Sequence, residues 1–386
     1  MSLQSFLNTK PLYYDKIDLS RMPRAYESIR GHLDLGEVIH LVGTNGKGST
    51  GRIIATLLQD GKKRVGHYSS PHILRFNERI WIDGADIDDI QLKKAHEKLM
   101  RWLDPKMAEE LSYFEYTTLL ALVAFEGCEY IVLEAGLGGE FDATNVVSKS
   151  LSVITPIGID HQAFLGDDIE EIAKTKLRSI DSRVILAKQP EAIVVDIARE
   201  ISDIENARLY QADEIVPAKI AKRLHENAAA RGWPPFLADN ALTAWGAVKL
   251  ITGRFPDTKM LNDIALRGRF EKIDKNIILD VGHNVPAAKA ISQALCGQKR
   301  ILVYNALEDK DAKSILSILS SVISKMEIIP IESDRTMERS RLIAAAEEIG
   351  LEVEEFRNID SKESYLVFGS FAVAEAFLKY SESLAE

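Results

Sequence analysis

A lysine set among glycines at the end of an apolar run is the first chemistry the sequence offers. Gly43, Thr44, Asn45, Gly46, Lys47, Gly48 and Ser49 follow the apolar stretch 38–42. A helical pattern with Ile53, Ile54, Leu57 and Leu58 on one face comes after them. Glycines let backbone N–H groups approach phosphate oxygens, and a helix N-terminus adds partial positive charge. Strand, turn and helix therefore read as a phosphate cradle, with Lys47 placed for the β- and γ-phosphates. The match to the common P-loop is incomplete, because Leu41 stands where that pattern has its first glycine and Gly48 where it has Ser or Thr. The plain alternative is a strand-to-helix turn with spare glycines. Three glycines around a lysine at a strand end weigh towards nucleotide binding.

Three further strand ends carry groups that can hold a metal. The stretch 64–68 ends in Ser69-Ser70-Pro71-His72, which on composition alone is a turn but offers hydroxyls and an imidazole. The buried run 130–133 ends on Glu134, followed by Gly136, Gly138 and Gly139. Asp160-His161 follow the run 151–154. Singly, Glu134 could be a solvated acid and His161 a structural histidine. Together Ser70, Glu134 and His161 are less easily dismissed, because parallel strand ends converge at one sheet edge and their spacing in sequence does not prevent a shared site. In a P-loop protein such an acid holds Mg²⁺ directly or through water.

The elements that must position these groups alternate in an α/β manner. Strands are expected at 38–42, 64–68, 78–82, 130–133, 151–154 and 183–187. Helices are expected at 24–32, 88–103, 113–125, 169–180, 191–206 and 237–251. In the helix 88–103, Ile90, Ala95, Leu99 and Leu103 read as inward positions. Asn240 lies near the start of the helix 237–251, as a cap would. The run Thr252-Gly253-Arg254-Phe255-Pro256-Asp257 is the strongest boundary signal. Beyond it strands at 276–279, 300–304, 327–331, 352–356 and 365–368 alternate with helices. The expected fold is α/β: a P-loop-type doubly wound N-terminal domain over residues 1–266 and a smaller Rossmann-like C-terminal α/β domain over residues 267–386.

Composition narrows the function classes. A chain of 386 residues with 46% hydrophobic and 27% charged residues reads as a soluble, two-domain globular protein. A net charge of −10 argues against nucleic acid as the main partner, whereas ATP needs only local positive charge. Cys128 and Cys296 are too few and too far apart for a zinc site or a disulfide framework, which suits a reducing cytoplasm. No secretory signal pattern is visible, and the longest apolar run, 119–125, is too short to span a bilayer, so no membrane partner is expected.

The loop from Gly43 to Ser49 resembles the phosphate loop of the Mur-type ATP-dependent amide ligases, which departs from the common P-loop in the same way. Within them the chain is similar to the bacterial dihydrofolate synthase/folylpolyglutamate synthase family. The matching segments are Tyr68-Ser69-Ser70-Pro71-His72, Phe114-Glu115-Tyr116-Thr117, residues 133–145, Ile159-Asp160-His161, Gly268-Arg269-Phe270-Glu271, Leu279-Asp280-Val281-Gly282-His283-Asn284 and Val367-Phe368-Gly369-Ser370. They run in family order over most of the chain. About forty residues precede the loop, fewer than the extra nucleotide-sugar domain of the cell-wall ligases needs, which favours the folate branch. The resemblance implies that ATP phosphorylates a carboxylate of dihydropteroate or of a folate. The amine of L-glutamate then attacks the acyl phosphate, releasing phosphate. It also implies small-molecule partners only, and a monomer.

Carried over by residue, the resemblance places Thr44, Asn45, Gly46, Lys47, Gly48, Ser49, Asn240, Arg269 and Asp280 on the nucleotide, the last two from the linker and second domain. Ser70 and Glu134 ligate one Mg²⁺, and His161 belongs to a second. Lys176 matches the lysine that family members carbamylate, giving a carboxylate near that metal, and His283 a histidine close to the phosphates. The pterin end is expected near Lys16, Ile17, Asp18 and Leu19, near Ser112, Tyr113 and Phe114, and near Phe141, Asp142 and Ala143. Two departures stand out. Lys176 is followed by Leu177-Arg178-Ser179-Ile180 in place of Ala-Gly-Ile, and Glu308-Asp309-Lys310-Asp311 replaces Ala-Asp-Lys-Asp. The rival readings are a Mur-type ligase for another carboxylate and amino acid, a P-loop phosphotransferase, and a non-catalytic nucleotide-binding module. The segment 280–284 speaks against the phosphotransferase, and the metal-capable strand ends speak against the passive module.

Overall fold

The structure is a computed structural model that describes residues 2–11, 18–59 and 63–383. The chain divides into two compact units, Met1–Asn227 with Leu237–Ile264, and Ala228–Phe236 with Ala265–Glu386. The division after Ile264 lies two residues before the boundary expected from sequence. The short stretch Ala228–Phe236 groups with the second unit, which no composition signal announces.

The first unit is built on eight strands: β1 (Glu37–Val42), β2 (Val65–Tyr68), β3 (Ile80–Ile82), β4 (Ala85–Asp86), β5 (Tyr130–Glu134), β6 (Leu151–Ile154), β7 (Arg183–Leu186) and β8 (Arg208–Gln211). Their order is β4-β3-β2-β5-β1-β6-β7-β8. The pairs from β2 to β8 are parallel, and β3 and β4 add an antiparallel edge. The central strands β1, β2, β5 and β6 are buried almost throughout, as a sheet covered by helices on both faces requires. One core gathers the helices Asp89–Trp102 and Tyr113–Ala124, and another the helices Ile169–Leu177 and Ala192–Ile204.

Two local expectations are corrected. Residues 76–79 form a 3₁₀ turn, so the strand expected at 78–82 shrinks to β3. In the helix Asp89–Trp102, Ile90 is 67% exposed instead of inward, and Leu92, Ala95, His96 and Leu99 are buried. The Asp88 side chain caps this helix by accepting the Gln91 N–H. The buried stripe then runs from 92 at three- and four-residue steps, and position 90 falls on the opposite side.

The second unit carries β9 (Glu271–Asp274), β10 (Ile277–Asp280), β11 (Arg300–Tyr304), β12 (Ile323–Ile328), β13 (Val353–Glu355) and β14 (Tyr365–Phe368). The order is β13-β12-β11-β14-β10-β9, parallel except for the edge pair β9–β10. Both sheets are open and mostly parallel, so each unit brings its strand ends to one edge, where such folds place ligands.

Candidate nucleotide and metal site

β1 runs straight into the phosphate loop, and the helix Lys47–Leu58 leaves it. Gly46 caps that helix at φ 85°, a left-handed conformation that disfavours any side chain. A Cβ there would also lie 2.8 Å from Asn240 Oδ1. Asn240 is therefore no helix cap. It sits within the helix Pro235–Thr252, 6% exposed, and donates from Nδ2 to Ser49 Oγ at 2.9 Å. The capping expectation misses because the helix begins at Pro235, earlier than hydrophobicity suggests.

Thr44 and Asn45 play a different part from the rest of the loop. Their backbone N–H groups donate to Pro156 O at 2.9 and 3.2 Å, and Thr44 Oγ1 donates to Gly158 O at 2.9 Å. These bonds tie the loop to the segment after β6. The N–H groups left without an intrahelical acceptor are those of the first turn of the helix, which suits them to an anion. Lys47 Nζ arches back over the loop to Gly43 O at 3.1 Å and Thr44 O at 3.3 Å.

The same Gly43 carbonyl accepts Lys176 Nζ, also at 3.1 Å. Lys176 is 3% exposed in the helix Ile169–Leu177. Burial, reinforced by the Lys47 charge, pulls its ammonium down from 10.5 to about 7, with Asp160 and Asp142 opposing. Lys174 and Arg178 take no part in this: they pair with Glu170 at 3.6 Å and Glu140 at 3.4 Å.

Glu134 closes β5, 4% exposed, and its Oε2 accepts the Ser70 N–H at 3.3 Å, so two of the proposed ligands meet. The strand order explains it, because β2 and β5 are parallel neighbours. His161 begins the short helix Gln162–Leu165 in the left-handed region, φ 55°, with Nε2 3.9 Å from Asp160 Oδ2. The Asp160 side chain, 8% exposed, faces this site, and sequence reasoning named it only as the neighbour of His161.

The expected pterin contacts divide. Lys16 and Ile17 lie outside the described residues. Asp18, with Pro11, Arg21, Arg24, Glu109 and Glu110, lines an open cleft of 380 Å³. Leu19 and Phe141 are exposed, whereas Ala143 is buried. Phe114 packs so closely on Gly136 that a Cβ there would come within 2.5 Å of the ring, which is why that loop position is glycine. Tyr113 lies under the Arg79 guanidinium at 5.2 Å. Ser112 and Asp142 are engaged within the fold. The Ser112 hydroxyl caps the helix Tyr113–Ala124, and the Asp142 carboxylate accepts the Leu137 and Thr144 N–H groups at 2.8 and 2.9 Å.

In the second unit, Asp280 ends β10 with both carboxylate oxygens on backbone N–H groups, Gly282 and Phe270, each at 2.8 Å. Burial pushes its carboxyl above the usual range against those bonds and the Arg269 charge. The Arg269 guanidinium lies 5.1 Å over the Phe371 ring. His283 Nδ1 is 3.1 Å from Val281 O, and Asn284 caps the helix Val285–Ala294.

No protein-family model matches the chain. The dihydrofolate synthase/folylpolyglutamate synthase of Haemophilus influenzae is 33% identical over 353 residues, covering 79% of this chain and 77% of that protein. The chain belongs to the dihydrofolate synthase/folylpolyglutamate synthase family. The crystal structure of Helicobacter pylori folylpolyglutamate synthetase is 37% identical, with a TM-score of 0.78 over 99% of this chain and 98% of that one. The structure of the bifunctional folylpolyglutamate synthase/dihydrofolate synthase of Yersinia pestis complexed with AMPPNP and Mn ion is 25% identical. Its TM-score is 0.83 over 99% of this chain and 98% of that chain. The membership agrees with the resemblance carried by the loop and strand-end motifs, and with the two α/β sheets. Among the described residues no helix is long and apolar enough to cross a membrane.

Proposed function

We propose that the chain is an ATP-dependent ligase that joins L-glutamate to the carboxylate of dihydropteroate, to the γ-carboxylate of a folate, or to both. Membership of the family carries the reading, and the loop geometry supports it. The helix beginning at Lys47 presents N–H donors and a lysine to phosphate oxygens, while Asn240 and Ser49 pack behind Gly46. A free carboxylate is a poor acyl donor, so activation by phosphate is what an amide-forming reaction needs. The carboxylate oxygen attacks the γ-phosphorus, ADP leaves, the glutamate amine adds to the acyl carbon, and phosphate departs. Lys47 stabilises the charge that builds on the phosphoryl oxygens.

The donor set fits a hard divalent cation. The Glu134 carboxylate and the Ser70 hydroxyl are oxygen donors at adjoining strand ends, as Mg²⁺ requires. When bound there, Mg²⁺ supplies charge neutralisation on the phosphates. His161, with Asp160 beside it, is assigned to a second ion. An amine that loses its proton near 7 is nucleophilic enough to take up CO₂, so Lys176 is assigned as a carbamate that adds an oxygen ligand there. Asn240, Arg269 and Asp280 are assigned to the nucleotide and His283 to the phosphates. Phe114 and Phe141 supply apolar surface for the pterin end. Reaction with substrate carrying ¹⁸O in its carboxylate tests the chemistry: one ¹⁸O should appear in the released phosphate. Phosphate free of label in turnover that makes the amide would overturn the acyl phosphate.

A further inference from the structure

His40 lies in the middle of β1, 0% exposed, among Ile39, Leu41 and Val42. An imidazole there must be desolvated, and it finds one partner: Nε2 is 2.7 Å from Thr144 Oγ1. The Thr144 hydroxyl has a single proton and gives it to Asp142 Oδ1 at 2.6 Å. Its lone pair is then left to accept, so His40 donates from Nε2–H. Nδ1, the proton-free nitrogen of that tautomer, is buried and has no hydrogen-bond partner among the described residues. Asp142 accepts on both oxygens, from Thr144 and from the Leu137 N–H at 2.8 Å.

The chain of bonds thus runs from the strand behind the phosphate loop into the glycine-rich loop that follows Glu134. That loop touches two parts of the site. Gly136 is the floor under Phe114. Gly139 packs on the Lys176 carbonyl closely enough that a Cβ would lie 2.5 Å from it, and Glu140 N donates to Thr175 O at 3.1 Å. An apolar residue at 40 would leave the Thr144 hydroxyl with only Asp142 of these two partners. We propose that His40 is a positioning residue for the ligase reaction. Through Thr144 and Asp142 it fixes the loop 135–145, and with it the wall that receives the pteroate end and the seat of the helix carrying Lys176. The inference rests on the ligase reading and touches neither nucleotide nor metal directly.

The test uses Thr144→Val, which replaces the hydroxyl by a methyl at nearly constant volume, Thr144→Ser, His40→Leu and His40→Gln. The glutamine amide nitrogen stands as many bonds from Cα as Nε2 does, so it can donate to Thr144. Thermal unfolding confirms which variants are folded, and KM is measured separately for pteroate substrate and for ATP. We expect Thr144→Val and His40→Leu to raise the pteroate KM by about tenfold or more, with the ATP KM within about twofold, because binding lost at the pteroate wall shows in the KM of that substrate. Ser and Gln should recover most of the loss, and the Leu/Val double variant should be no worse than the poorer single one. If His40→Leu does not fold, the Thr144 pair decides. In the wild type, ¹⁵N chemical shifts should report a neutral Nε2–H tautomer of His40. A pteroate KM unchanged in folded Val and Leu variants would overturn the proposal, as would equal losses on both substrates that follow melting temperature. A wild-type enzyme that makes no glutamylated product in the same assay would instead defeat the ligase reading.

Discussion

Lys47 and Lys176 converge on one acceptor, the carbonyl of Gly43, at 3.1 Å each, although Lys176 lies 133 residues beyond Gly43. Burial, and after it the repulsion between two ammonium groups on one carbonyl, lowers the pKa of Lys176 to about 7. Under the proposed function, Lys47 serves both the phosphate and the reactivity of Lys176. Lys47→Met should lower turnover by about 10²- to 10³-fold, the usual cost of losing one charge-stabilising donor, without unfolding the chain. It should also raise the pKa of Lys176. Near-normal turnover in the folded variant would remove the phosphate-loop assignment.

Lys176 is neutral above about pH 7 and protonated below it. Only the neutral amine takes up CO₂. With ¹³C-labelled bicarbonate, a carbamate ¹³C resonance should grow as pH rises through 7 and be absent in Lys176→Ala. A short-chain acid such as formate or acetate should restore part of the activity of Lys176→Ala. A signal that persists in Lys176→Ala would assign the carbamate elsewhere.

Glu134→Gln replaces a carboxylate by an amide, a poorer ligand for a hard cation. The Mg²⁺ concentration for half-maximal activity should rise by about tenfold or more, roughly the loss of one charged ligand contact. An unchanged Mg²⁺ curve would leave Glu134 as a buried acid that holds the Ser70 N–H.

The loop and the strand ends were legible because their residue types are costly elsewhere: glycines around a lysine, and an acid closing a buried strand. Parallel pairing of β2 with β5 and of β5 with β1 then brings Ser70 and Glu134 together, as the alternation of strands and helices implied. What local pattern could not give was the partner of each side chain. Asn240 has the look of a cap yet packs on Ser49. The Ser112 hydroxyl and the Asp142 carboxylate accept backbone N–H groups, and Asp142 also accepts the Thr144 hydroxyl. Ile90 carried the right hydrophobicity in the wrong helical phase, away from the face that buries Leu92, Ala95 and Leu99. Lys174 and Arg178 flank Lys176 in sequence but pair with Glu170 and Glu140, and the positive charge beside Lys176 comes through space from Lys47.

His40 and His67 are both buried and held neutral, His40 down to about 3 and His67 well below 6.5. Unfolded histidine binds a proton near 6.5, so the unfolded state takes up more protons than the native one as pH falls below that value. Stability should therefore decline from pH 6.5 to 5 by about 1.4 kcal/mol per unit for each histidine once it is fully protonated when unfolded. In urea titrations His40→Gln should show a shallower decline than the wild type. Equal slopes would mean that His40 carries a proton in the native state.

Purified protein incubated with ATP, Mg²⁺, L-glutamate and either dihydropteroate or tetrahydrofolate, with the products weighed by mass spectrometry, tests the central claim most directly. The account predicts a product heavier than the pteroate or folate by one glutamyl residue, with ADP and phosphate formed in step and none of it without glutamate. A product heavier by a phosphoryl group and indifferent to glutamate, or ATP turnover with neither folate substrate altered, would contradict it.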